Sequence, residues 1–243
     1  ILHLDARDAS FRYPQVFTES LAFDRVSARV DWQRAADGWR FDARNWALAN
    51  DDLALQGRLD LAVPADGSPA IDLAADVERA RVAAVPRYLP RRGLPGKARS
   101  WLSRALVDGR VVSGGIELRG PLAEFPLAEG GGRFRASLGV ERGVLDYGPD
   151  WPALEEADAR VTLERDGLEV ALRSGRISGM QVQRASARLP RFREGDLRIE
   201  THVAGDNGQL VELLRESPVG RNSRPFLQGL RSEERRVGKE CIV

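Results

Sequence analysis

Chemistry at a protein site needs reactive groups brought together, and this sequence offers few. It holds two histidines, His3 and His202. A catalytic base or a metal ligand needs convergent partners. His3 stands near the first residue, His202 sits on the polar phase of an alternating run, and neither has a partner at ligand spacing. Two carboxylate pairs, Asp51-Asp52 and Glu155-Glu156, have the side chains for glycosidic acid/base work. Neighbours on a strand point to opposite faces, so neither pair converges there, and both read as solvated turn residues. Ser113-Gly114-Gly115 and Gly130-Gly131-Gly132 lack the Lys-Ser/Thr ending of a phosphate loop and read as turns or bulges. Lys97 follows Gly96 without the rest of such a motif. The expectation is a chain that is not an enzyme, takes no cofactor and holds no metal.

Composition narrows the partners. The 243 residues are 42% hydrophobic and 30% charged, which fits a folded chain of one large or two modest domains. A formal net charge of +1 gives no concentrated basic surface, so no nucleic acid is expected. No run approaches the roughly 20 apolar residues of a membrane span, and no signal peptide is visible after Ile1. A start at Ile1 reads as a piece of a longer chain. Residues 231–243, RSEERRVGKECIV, closely resemble a translated sequencing adapter; a charged, solvated tail is the alternative. They contain the one cysteine, Cys241, and are set aside from fold reasoning. Without a cysteine in the body, no disulfide scaffold or thiolate metal site is expected.

What must position any site is a set of strands. Leu53, Leu55, Gly57, Leu59, Leu61 and Val63 fall on one face of an alternating run, and Gln56, Arg58 and Asp60 on the other. The pattern recurs over 26–32, 39–41, 71–73, 112–118, 134–140, 157–163, 168–172, 182–189 and 197–203. Asp37-Gly38, Asp66-Gly67, Arg142-Gly143, Asp166-Gly167 and Glu194-Gly195 read as the turns between runs. About ten strands joined by tight turns make an antiparallel meander with no βαβ rhythm.

Three stretches are helical. Ala98, Trp101, Leu102, Ala105 and Leu106 are at helical spacing, with Asp108-Gly109 as a stop. A short helix interrupted by Pro86 is expected within 79–89, and Asp206 can cap a helix over 209–215. The organisation is then an antiparallel β segment over 1–80 and a helical and loop insertion over 81–109. A continuing β segment over 110–205, a short helix and end over 206–230, and the tail follow. The fold class is mostly β, an antiparallel meander with two or three short helices.

One face of such a sheet is apolar and the other charged. A second sheet, the helices or a ligand can each cover the apolar face, and periodicity alone leaves all three open. The cluster Arg87, Arg91, Arg92, Lys97, Arg99 and Arg104 around the insertion is either a solvated surface or a contact for anionic head groups.

The order and spacing of several pieces add a family likeness. Trp101–Leu106 precede Gly109, then come Leu118-Arg119-Gly120, Phe125-Pro126, Gly132-Arg133-Phe134, Asp150-Trp151-Pro152-Ala153-Leu154 and Ser217-Pro218. Over roughly 82–219 this resembles the central periplasmic region of the YhdP family of AsmA-like envelope proteins. The resemblance implies a long twisted, curled antiparallel sheet forming an apolar groove, and a periplasmic lipid-transport segment that conducts phospholipid between inner and outer membranes along that hydrophobic β-groove. It implies an inner-membrane anchor through an N-terminal helix, and membrane contacts made by flanking regions absent here; oligomeric state is not implied. The candidate lining is Leu53, Leu55, Leu59, Leu61, Ile116, Leu118, Phe134, Leu138, Val140, Val161, Leu163, Val170 and Leu172. The candidate head-group contacts are Arg91, Arg92, Lys97 and Arg99. A structural or adhesive β-sandwich module of the envelope, without lipid, is the alternative.

Overall fold

The computed structural model describes residues 1–14, 16–91, 96–125, 132–192, 195–218 and 241–242. Its strands form one antiparallel sheet in strict chain order. They are β1 (Leu2–Phe11), β2 (Leu21–Ala35), β3 (Gly38–Ala49), β4 (Leu53–Pro64), β5 (Ala70–Arg81) and β6 (Leu106–Pro121). After these come β7 (Arg133–Leu145), β8 (Leu154–Glu164), β9 (Gly167–Ile177), β10 (Met180–Leu189), β11 (Arg198–Ala204) and the two-residue β12 (Cys241–Ile242). The ten runs read from alternation all appear. The strand that the reading lacked is β1; β12, which pairs with β11 at His202 and Val203, falls in the tail that was set aside.

The sheet is open, because β1 pairs only with β2. An open sheet this wide does not stay flat: strand twist accumulates, and sheets beyond about ten strands tend to curl. Bulges add bend. Asp8, Asn45, Arg142 and Glu156 all take positive φ inside strands, and the register shifts at Ala43/Trp46, Val140/Gly143 and Glu155/Asp158 sit beside them. Arg142-Gly143, read from sequence as a turn, is one of these bulges inside β7. There the Arg142 backbone N–H donates to Asp158 Oδ1 at 3.1 Å, a long-range partner no local pattern reveals.

The helices gather at one end of the strands. α1 (Val85–Tyr88) follows a 3-10 turn over Val82–Ala84, and Pro86 stands in its first turn, where a missing N–H costs nothing. α2 (Gly96–Ala105) ends one residue earlier than expected, because Leu106 opens β6. Asp108-Gly109 is then a strand irregularity, with Gly109 at φ 121° against Gly143. α3 (Asn207–Glu216) carries the expected cap: Gln209 N–H donates to Asp206 Oδ1 at 2.8 Å, and Gln209 Oε1 accepts from Asp206 N–H at 3.0 Å.

The buried core is thin and lies at this helical end. Leu21, Phe23, Val26 and Leu53 form one cluster, with Phe17 and Tyr88 packed against it. Val77, Val82 and Val111 form a second, and Ala157, Ala159, Leu172 and Val182 a third. A polar knot ties the insertion down. Asp52 accepts from Arg87 at 2.6 Å, Arg81 at 3.3 Å and the Tyr88 hydroxyl at 3.2 Å. Asn50 Nδ2 donates to the Ala22 carbonyl and to Tyr88 Oη, while its Oδ1 accepts from the Asp52 and Leu53 N–H groups. Asp52, read as a solvated turn residue, is therefore buried at 8% exposure, because its partners arrive from 29 to 36 residues away.

Candidate functional site

Cross-strand register decides which side chains share a face. Leu59 stands opposite Ala43 and Leu73; Leu73 stands opposite Leu118, and Leu118 opposite Phe134. Leu138 stands opposite Val161, and Val161 opposite Val170. Followed through all the pairings, the thirteen candidate lining residues lie on one face, spread over β4, β6, β7, β8 and β9. Leu53 and Leu172 are buried under the helical end; the other eleven are half-buried. The same face carries Trp32, Trp39 and Phe41 on the β2–β3 hairpin, which the sequence reading did not single out although they are in phase with it.

Cover is uneven. All strands belong to the one sheet, so among the described residues no second sheet lies over this face. Helices and connections close its helical end. At the hairpin end Phe125 and Phe134 meet edge-on at 5.5 Å, while Trp32 and Trp39 are 47% and 45% exposed. Eleven strands at about 4.8 Å each extend this face for roughly 50 Å.

The opposite face is ionic. Asp31, Asp42, Asp60 and Asp72 stand directly opposite one another on four consecutive strands, and Arg119 continues the row. They line a depression of about 690 Å³ with Arg44. Arg44 binds Asp42 at 2.9 and 3.0 Å, and its hydrogen bond holds the Asp42 carboxyl below the usual range. Arg119 binds Asp72 at 2.8 Å. Asp60 is pushed up, first by burial and then by the Asp42 and Asp72 charges. Among the described residues no cluster of His, Cys, Asp and Glu has the arrangement of a metal site.

The sign of the Asp60 shift gives a test. A raised folded value means the fold favours the protonated acid. Its contribution is present below the ordinary value of 3.8 and is lost as pH rises through the folded value. Asp60→Asn, neutral at every pH, is expected to raise Tm at neutral pH by on the order of 1–2 °C. Thermal melts should show that gain vanish below the ordinary aspartate range; a gain independent of pH removes the like-charge account.

Three members of the basic cluster at the insertion, Arg87, Arg91 and Arg99, are engaged. Arg99 donates to the Leu89 and Pro90 carbonyls at 3.3 and 2.6 Å, fastening α2 to the end of α1. Arg91 reaches the Pro14 carbonyl at 3.4 Å, and its own N–H binds the Val16 carbonyl. Lys97 is exposed, and Arg92 lies outside the described residues. Trp101 donates from Nε1 to the Tyr147 carbonyl at 2.9 Å, so α2 is pinned over the β7–β8 connection. Burial there pushes the Tyr147 hydroxyl up to about 12.

Comparison with known proteins adds two findings. The model of the family described as YhdP protein matches residues 1–238. The intermembrane phospholipid transporter YhdP of Escherichia coli (strain K12) is 22% identical over 219 residues, covering 90% of this chain and 17% of that protein. The chain thus spans about a sixth of the length of that relative. No solved structure matches. Among the described residues no helix is long and apolar enough to cross a membrane.

Proposed function

Because this chain belongs to the YhdP family, we propose that its apolar sheet face is a stretch of a passive phospholipid conduit between the inner and outer membranes of the envelope. The observation that carries this reading is the continuity of one predominantly apolar face across eleven strands, with no second sheet over it among the described residues. The relative's name supplies the cargo class. Acyl chains would lie along Leu59, Leu61, Leu118, Phe134, Leu138 and Leu163, where aliphatic side chains replace bilayer hydrocarbon and lower the cost of moving through water. Head groups would stay at the open hairpin side, in solvent. The curl of the sheet would make this face a groove, and flanking regions of a longer periplasmic protein would supply the anchor and the membrane contacts.

The first experiment is organic extraction and mass spectrometry of the 243-residue chain purified from a bacterial envelope. Bound phospholipid near one molecule or more per chain is the expected result. A folded chain with no lipid above a control protein of the same envelope overturns the conduit. The structural or adhesive module is the reading that would then remain. Its sandwich form is disfavoured by the single sheet.

A further inference from the structure

Among the described residues the apolar face carries one charge away from its bulges. The pairings Trp32 with Phe41 and Arg34 with Trp39 place Arg34 on the apolar side, at the tip of the β2–β3 hairpin. Trp39 in turn stands opposite Val63, and Phe41 opposite Leu61, so the surroundings of Arg34 on this face are aromatic and aliphatic. Arg34 is exposed and, among the described residues, makes no ion pair or side-chain hydrogen bond. On the polar face Arg44, Arg119 and Arg188 each hold a carboxylate within 3.0 Å, while Arg40 and Arg58 are exposed there like Arg34; what sets Arg34 apart is the apolar, aromatic side it stands on.

Exposed and without a carboxylate, Arg34 is met by water, which an anion brought in by a lipid on this face can replace. Two exposed indoles beside it have the amphipathic character of residues that sit where hydrocarbon meets head groups. A guanidinium presents a fork of donors matched to phosphate oxygens. Resting on the conduit reading, we infer that Arg34, flanked by Trp32 and Trp39, is a head-group site that binds the phosphate of a phospholipid whose acyl chains lie on the face below. The helical end is the poorer place for this, because Arg91 and Arg99 already bind backbone carbonyls. The site gives the conduit a preference for phosphate-bearing lipid over neutral lipid.

The test uses the full 243-residue chain and two fluorescent probes with identical acyl chains, a phosphatidylglycerol and a diacylglycerol. The chain should bind phosphatidylglycerol about five-fold more tightly. Arg34→Gln should bring the two within about two-fold by weakening phosphatidylglycerol alone, and Arg34→Lys should keep part of the preference. Circular dichroism verifies the fold of each variant, and Arg58→Gln, an exposed arginine on the polar face of β4, serves as a comparator expected to keep the preference. Excess inorganic phosphate should not displace the lipid, because the acyl chains hold it. Equal binding of both probes by the unaltered chain, an unchanged preference in Arg34→Gln, or displacement by inorganic phosphate overturns the head-group site and leaves the conduit standing. Binding of neither probe overturns the conduit and the site together.

Discussion

Aspartate at both Leu138 and Leu163 is expected to remove at least about 90% of the phospholipid that copurifies with the chain while the sheet still forms. Both leucines are half-buried on the apolar face, on adjacent strands: Leu138 opposes Gly114 and Val161, and Leu163 opposes Ala136 and Leu168. A carboxylate there brings its hydration shell into the path of the acyl chains, and among the described residues no arginine on this face is near enough in register to neutralise it. The exposed side of each position spares the fold, because a half-buried carboxylate keeps some water and costs roughly 1–3 kcal/mol rather than the far larger cost of a sealed one. Thr162→Asp is the matched control. It adds the same charge one residue away on the opposite face, beside Ser137 and Glu169, and should keep the lipid. Lipid counted by mass spectrometry, with thermal melts on every variant, makes the comparison. A folded double variant that still carries lipid would show that acyl chains do not lie on this face.

Gly57→Val is expected to produce the largest loss of stability, about 3 kcal/mol or more and on the order of 10 °C in Tm, or a chain that fails to fold. Gly57 belongs to the apolar phase of β4 yet carries no side chain. A Cβ there would lie 2.1 Å from the Ala74 carbonyl oxygen, 2.9 Å from Ala75 Cα and 2.9 Å from Trp46 Cζ2. Two of these are backbone and cannot step aside without breaking the β4–β5 ladder. The third is an indole lying over the glycine, and its Nε1 is already buried with no partner. Gly115→Ala is the control, since its nearest neighbour would be the Ala75 carbonyl at 4.0 Å. That change should alter Tm by little, and it removes backbone freedom from the unfolded chain. Similar melting of the two variants would show that Gly57 is not sterically required.

The sequence by itself determined the strands, the apolar phase and one helix cap. Alternation such as Leu53 to Val63 is a local consequence of side chains pointing to opposite faces, so it reports a half-buried strand without knowledge of neighbours. The Asp206 and Gln209 box is equally local, closed within one turn. Asp37-Gly38 and Asp166-Gly167 make the turns their composition demands. The resemblance of ordered motifs gave the family, which the match over residues 1–238 bears out.

Only the tertiary structure decided what lies beside what. Arg142-Gly143 has the composition of a turn, but two neighbouring strands hold it as a bulge inside β7. Asp52 has the composition of a solvated loop, but Arg81, Arg87 and Tyr88 close over it. The facing aspartates 31, 42, 60 and 72 are each ordinary on their own strand; their opposition follows from hairpin register, which shifts with every bulge. Arg34 was in phase with Val30 and Trp32 all along, but a charge at the end of an alternating run reads as the start of a turn. Its position among two indoles needed the pairing of β2 with β3 and of β3 with β4. Periodicity is set within a strand by backbone geometry, whereas register is set between strands by bulges, loop lengths and packing, and the face on which a site is built belongs to the second kind of information.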